Sequence, residues 1–229
     1  MLNSRKIFSL SVVVAAFAVS AVAYRRLPAI APTHWGMSGQ PDGFGSRLEL
    51  ALLLPCLMLA IAVVFAFVPH YDRYLFIRYR SADSVPDPDS STARPEYDTM
   101  IAIILTFMLA MHTFAIASGL GLISANRRPL LIAAIISIGM IAIGNYMPRI
   151  TRRNAFLGVR LPWTYASEEV WRRTQRAGGY GMVAAGIIGL VGAIAVPSSP
   201  VKPLFFAMAV QLVVVAAYSY YLPHSGDVS

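Results

Sequence analysis

An all-α integral membrane protein, a bundle of six transmembrane helices with both termini cytoplasmic, is the fold class that three observations predict. The 229-residue chain is 57% hydrophobic and only 13% charged, where a soluble domain has about a quarter of its residues charged; its mean hydropathy is +0.60. The apolar residues gather into six runs, each close to the roughly 20 residues that cross a bilayer. Lys and Arg divide unevenly among the intervals, as the positive-inside bias requires. None of the runs alternates as a barrel strand would. Backbone in lipid must satisfy its own polar groups, so all six are read as helices.

The first run, Ile7 to Ala23, follows Arg5 and Lys6 and ends in Ala21-Val22-Ala23, a pattern also seen at signal-peptidase sites. At about 17 residues it exceeds a usual signal core, and it is read as a retained span. The interval Tyr24 to Glu49 follows. Pro28, Pro32 and Pro41, with glycines at 36, 39, 43 and 45, forbid a long helix there and favour a series of turns, Pro41-Asp42-Gly43 being a typical turn tripeptide. Within it, Thr33-His34-Trp35-Gly36 raises the question of a metal. The interval holds no second histidine, and Asp42 and Glu49 are the remaining ligand types. A lone His beside a Trp reads as interfacial, with Trp35 at headgroup depth; no metal is expected.

The second run, Leu50 to Val68, contains Cys56, the sole cysteine, which excludes an intrachain disulfide or a Cys-rich metal site. The next interval begins HYDRYLFIRYRS, aromatic and basic, suited to a helix end in the inner headgroup layer. Its second half, SADSVPDPDSSTARPE, has the composition of a flexible linker without a core. Domain boundaries follow: a two-span hairpin over 1–70, a cytoplasmic linker over 71–98, and a four-span block over 99–229 with a basic connector at 147–179.

The block's spans are Thr99 to Ile123, Leu130 to Tyr146, Tyr180 to Val196 and Leu204 to Leu222. No Asp, Glu, Lys or Arg lies deep in any span, and such residues are the usual mark of ion or proton pathways. His112 is read as an imidazole bonded to a neighbouring helix, and Gln211 as interhelical glue. Glycines at 178, 179, 181, 186, 189 and 192 in the fifth span permit close helix approach. No inverted repeat relates the halves, which weakens a secondary-transporter reading. The connectors SANRRP and PSSPVKP are short turns.

Orientation comes from the basic residues. With the N-terminus inside, thirteen Lys and Arg are cytoplasmic and six external. The net charge of +8 is therefore topological, and no direct nucleic-acid contact is expected. This places Tyr24 to Glu49 outside and the fourth connector inside.

That connector reads RRNAFLGVRLPWTYASEEVWRRTQRAGG over 152–179. Pro148 discourages continuation of the fourth span, and Pro162 keeps Leu161 extended. Phe156-Leu157-Gly158-Val159 is expected to dip toward the headgroups. Ser167 is an N-cap, with Glu168 and Glu169 at the positive end of the helix dipole. Glu168 with Arg172 and Glu169 with Arg173 are i,i+4 pairs, so an amphipathic helix from Ser167 to Arg176 leads into the fifth span. Trp163 and Trp171 are assigned to the interface, and the arginines to lipid phosphates.

The stretch GNYMPRITRRNAFLGVRLPWTYASEEVWRRTQRAGG is very similar to the signature of the SdpI immunity protein family: Gly-Asn at a span end, Asn, Gly-x-Arg-x-Pro-Trp-Thr, Ser-x-x-x-Trp and a Gly-Gly entry. The matching positions are Gly144, Asn145, Arg153, Asn154, Gly158, Arg160, Pro162, Trp163, Thr164, Ser167, Trp171, Arg176, Gly178 and Gly179. The external LPAIAPTHWGMSGQPDGFGSR resembles the N-terminal domain of unknown function found in many members, through Pro28, Pro32, His34, Trp35, Gly39, Pro41, Asp42 and Arg47. Two positions depart: Leu161 stands where the family commonly has Thr, and Gln175 where it commonly has His.

The resemblance implies a multi-pass protein of the bacterial cytoplasmic membrane that protects against a membrane-active toxin. It also implies signalling by holding a transcriptional repressor, or another cytoplasmic protein, at the membrane. Membrane lipids, an external toxin peptide and a cytoplasmic protein are the candidate partners. Recognition would rest on His34, Trp35, Gly39, Pro41 and Asp42 outside, and on Asn145 and the elbow residues inside. The alternative is a transporter or channel-like exporter of a peptide or lipid. No Ser-His-Asp arrangement, His-Glu metal motif or phosphate-binding Gly-rich loop is present. Neither a cofactor nor an enzymatic activity is expected.

Overall fold

The computed structural model describes residues 4–78, 95–154 and 156–222. Each apolar run folds as one helix: α1 (Ser4–Tyr24), α2 (Arg47–Arg78), α3 (Pro95–Gly119), α4 (Arg128–Tyr146), α5 (Glu168–Ala195) and α6 (Lys202–Tyr221). All six are long and apolar enough to cross a bilayer, and the chain is a multi-pass membrane protein. The Pro- and Ser-rich linker, 79–94, lies outside the described residues.

The side-chain distribution suits lipid. Leu53, Val63, Ile194, Phe206 and Val213 are at least half exposed, whereas Ala16, Ala133, Ala185 and Ala193 are buried. Lipid tails give helices no hydrophobic reason to associate, so small residues and close fit must hold them. The pair α4 and α5 packs most extensively. A Cβ on Gly144 would lie 2.7 Å from the Gly179 carbonyl oxygen, and one on Gly179 would lie 2.5 Å from that of Gly144. The two backbones therefore touch, which only glycine at both positions permits.

At the other side of the bundle α1 packs against α2 and α3, burying Val12, Val13 and Ala16 with Met58, Ile101 and Leu105. His112 of α3 is fully buried, with its Nε2 2.9 Å from the Ser20 hydroxyl of α1. Ser20 Oγ lies 2.6 Å from the Ala51 carbonyl of α2. A hydroxyl has one proton; given to that carbonyl, it requires the imidazole Nε2–H to donate to Ser20 Oγ. The interhelical bond expected of His112 thus joins three helices.

The Tyr24 to Glu49 interval is more ordered than a run of turns. β1 (Ile30–Trp35) pairs antiparallel with β2 (Pro41–Ser46). The reversal lies at 36–40, where Gly36 N–H donates to Gln40 O at 3.1 Å and Gly39 takes φ +72°. Pro41-Asp42-Gly43 therefore opens a strand instead of making the turn. With only two strands, both are edges, and Pro32 and Pro41 are tolerated there. Ser46 then caps α2, its hydroxyl accepting from Glu49 N–H at 3.2 Å.

The hairpin docks onto one end of the bundle. Leu27 and Ala31 are buried with Leu50, Ala51, Ala115 and Ile116. Gln40 Nε2 donates to Ala125 O in the α3–α4 connection at 3.0 Å. The bundle's opposite end is closed by Val68, Tyr97, Met100, Met147, Ile150, Leu157 and Trp171.

Candidate functional site

The signature residues build an elbow between α4 and α5, at the end of the bundle away from the hairpin. It begins as α4 tightens into a 3-10 turn, Met147–Arg149, at Pro148. Arg149 Nη1 donates back to the Asn145 carbonyl at 2.9 Å, while Asn145 itself is exposed.

Asn154 organises the next reversal. Its Oδ1 accepts from Phe156 N–H at 3.0 Å and Leu157 N–H at 2.7 Å. Its Nδ2 donates to Arg152 O at 3.2 Å, and its own carbonyl accepts from the Tyr165 hydroxyl at 2.9 Å. This is an Asx turn with both ends of the carboxamide and the backbone carbonyl engaged, which suits a residue only 8% exposed.

Gly158 follows with φ +90°, in the left-handed region that glycine adopts without a Cβ penalty. It aims Val159 at Gln175 of α5. Val159 N–H donates to Gln175 Oε1 at 2.8 Å, and Gln175 Nε2 donates to Val159 O at 2.9 Å. The carboxamide is fully buried and satisfies both backbone groups of one residue. Thus a position where the resemblance expects His carries a two-way clamp.

A second 3-10 turn, Pro162–Tyr165, is closed by Thr164. The Thr164 hydroxyl donates to Leu161 O at 2.8 Å and accepts from Leu161 N–H at 3.2 Å. Trp163 reaches α6, donating from Nε1 to Ser219 Oγ at 3.0 Å and stacking edge-on against Tyr220 at 5.3 Å. Ser167 caps α5 as expected, accepting from Val170 N–H at 3.1 Å. The helix expected from Ser167 to Arg176 is continuous with the fifth span.

Three expectations are corrected. Trp171 is not interfacial: it is fully buried, its ring packs in the end cluster, and its Nε1 donates to Ile150 O at 2.9 Å. An indole with an internal acceptor has no reason to seek headgroups. Leu157 joins that same cluster, and Phe156 meets Phe65 edge-on at 6.0 Å, so this segment turns into the protein. Glu168 does not pair with Arg172. It accepts from Arg153 Nε at 2.8 Å, across the elbow. Glu169 takes Arg172 at 2.5 Å as well as Arg173 at 2.7 Å. Helix spacing offered the local partner, and the folded elbow brought a distant one within reach.

Arg160, Pro162 and Arg176 are exposed on the elbow surface. Asn154, Thr164 and Trp171 are buried within it. The signature therefore divides into residues that build the shape and residues that the shape displays.

At the hairpin end, His34 Nδ1 lies 2.5 Å from Asp42 Oδ1, with both side chains more than half exposed. An ionised carboxylate only accepts, so Nδ1 carries the proton. Among the described residues no group of three His, Cys, Asp or Glu could hold a metal ion. Trp35 is half-buried and stacks on Phe114 of α3 at 5.2 Å. Gly39 fits against the first turn of α4, where a Cβ would lie 2.5 Å from Pro129 Cα. The His34, Trp35, Gly39, Pro41 and Asp42 group is thus a compact unit, but the length of the bundle separates it from the elbow.

Sequence reasoning did not assign Gln175, Tyr165 or Ser219 their roles. A signal existed for Gln175: with Trp171 and Gly178 it lies on the i, i+4, i+7 stripe of α5 that turns inward.

Two families match the chain: a domain of unknown function, DUF1648, over residues 12–59, and the SdpI/YfhL protein family over residues 150–221. The first spans the hairpin and the second most of the elbow. Immunity protein SdpI of Bacillus subtilis (strain 168) is 23% identical over 225 residues, covering 97% of this chain and 99% of that protein. An uncharacterized protein of Archaeoglobus fulgidus is 36% identical over 59 residues, covering 23% of this chain and 32% of that protein. No solved structure matches the chain.

Proposed function

From the premise that the chain belongs to the SdpI/YfhL family, we propose that it is an immunity protein that defends a bacterial cytoplasmic membrane against a membrane-active toxin. The observation that carries this reading is similarity to an immunity protein along almost the whole chain, at both the hairpin and the elbow. The proposal includes signalling. The His34 and Asp42 surface faces outward and meets the toxin peptide. The elbow faces the cytoplasm, where Arg160 and Arg176 meet a repressor or another cytoplasmic protein. The imbalance of Lys and Arg favours this orientation.

A recognition role for Arg160 differs measurably from lipid attraction. A lysine ammonium attracts anionic lipid as well as a guanidinium does, at about 1 kcal/mol per charge near the surface. It does not reproduce the planar donor fork. Arg160 sits between the left-handed Gly158 and Pro162, on backbone held by the Gln175 clamp. Arg172 is tied to Glu169 on its own helix.

The experiment expresses the chain in a sensitive bacterium challenged with purified membrane-active bacterial peptides, scoring survival and membrane level. Wild type protects against at least one peptide. Arg160→Lys loses protection at normal membrane level, and Arg172→Lys keeps it. Equal survival with and without the chain across the peptides tested refutes immunity. Equal protection by both lysine variants reduces the elbow to a charged anchor.

A further inference from the structure

The polar side chain at the middle of α6 has no internal partner among the described residues. Gln211 is the tenth of the twenty residues of this helix. A helix of that length spans about 30 Å, so Gln211 lies at the centre of the hydrocarbon when α6 crosses the bilayer. Its Cγ rests over Gly181 of α5, where a Cβ would lie 2.6 Å away. Among the described residues the carboxamide makes no hydrogen bond.

The side chain borders a groove of about 630 Å³ on the outer face of α5 and α6, lined by Gly181, Ala184, Ile188, Val210 and Val214. The adjoining Tyr180 and Phe206 are 65% and 73% exposed. The groove carries no charged residue. An acyl chain suits it in shape and leaves the amide unsatisfied, which is unfavourable in hydrocarbon.

We propose that this groove docks a second copy of the chain, with the two Gln211 carboxamides paired at the membrane centre. A carboxamide has both donor and acceptor. Two of them related by a twofold axis exchange two hydrogen bonds, each Nε2–H donating to the other's Oε1. A twofold interface is self-complementary by construction, and Gln211 supplies the polar pair that an isologous contact needs. Ala184, beside the Gln211-covered Gly181, leaves room for the partner's α6, whose Val210 and Val214 present the same face in return. Interhelical hydrogen bonds of this kind hold helices together in membranes. The proposal does not depend on the immunity reading.

The test is disulfide cross-linking of the full chain in phosphatidylethanolamine–phosphatidylglycerol vesicles. A Cys56→Ser background removes the native thiol. Val214→Cys, on the groove face, is expected to form a covalent dimer, and Val63→Cys, exposed on α2, is not. Adding Gln211→Leu weakens association by about five- to thirtyfold, equivalent to roughly 1–2 kcal/mol. Gln211→Asn, which retains the carboxamide, falls between wild type and the leucine variant. Leucine is at home in this span, so loss of the dimer is not loss of the fold. A dimer unchanged or strengthened by Gln211→Leu overturns the proposal, since apolar packing alone then suffices. So does equal cross-linking from both cysteine positions, which reports random collision. Absence of any Val214→Cys dimer leaves the groove to lipid or another helix and equally overturns it.

Discussion

Gln175 and Gly158 act as one unit at the centre of the elbow. The left-handed backbone at Gly158 turns Val159 so that its N–H and C=O both face the buried carboxamide. Gln175→Leu keeps the volume and leaves both backbone groups unpaired, at a cost of about 1–3 kcal/mol for each group that water cannot reach. Gly158→Ala strains the backbone and brings a methyl group against Gln175, with a similar effect of order 1–3 kcal/mol. Both variants should lower the thermal midpoint of the detergent-solubilised protein, and the double variant should lose less than the sum, because each breaks the same clamp. Fully additive losses show that the two residues act separately. The sequence marks Gln175 as a departure from a family pattern and places it on the inward stripe of α5, but does not name its partner. Its role depends on a residue sixteen positions earlier, reached through a turn that no local periodicity describes.

At the scale of elements, the helices form where the apolar runs lie, and their junctions are held by polar side chains. Ser167 is the clearest case, extended at φ −150° with its hydroxyl on Val170 N–H. Ser167→Ala removes that cap and should cost about 1 kcal/mol, while Ser167→Asp, another good cap, should come close to wild type. The check is the thermal midpoint of the three proteins side by side; a normal alanine variant would place the start of α5 under the control of Trp171 and Gln175 alone. The cap was legible because Ser-Glu-Glu before a helical stretch is a local signal. The β1–β2 hairpin was not. Its prolines and glycines indicated turns, and strand pairing became favourable because Leu27, Ala31 and Trp35 could be buried on α3 and neighbouring helices.

At the scale of the whole molecule, the two groups of signature residues occupy opposite ends of a six-helix bundle. That separation makes orientation the premise of the functional proposal. Reporter fusions after Gly43 and after Ser90 are expected to report outside and inside, respectively. The reverse result would exchange the sensing and signalling ends. The span count and the separation of the two ends were legible in the sequence, since each run is about a bilayer long and connectors alternate between sides. The contacts between spans were not legible. His112 reaches Ser20 across 92 positions, and the carbonyl completing that junction belongs to a third helix.

Composition and the length of each apolar run by themselves determined that this is a six-span helical protein, because a backbone in hydrocarbon has no other way to satisfy its hydrogen bonds. The Ser167 cap, the end of α4 at Pro148 and the extended Leu161 before Pro162 were likewise settled within a few residues of chain. Tertiary structure alone decided that Trp171 is core, that Glu168 pairs with Arg153, that Gln175 clamps Val159 and that Tyr24 to Glu49 holds a docked hairpin. The physical reason is common to all four. A polar or aromatic side chain settles where its hydrogen bonds and its surface can both be satisfied, and here those partners come from segments that only the folded bundle brings together.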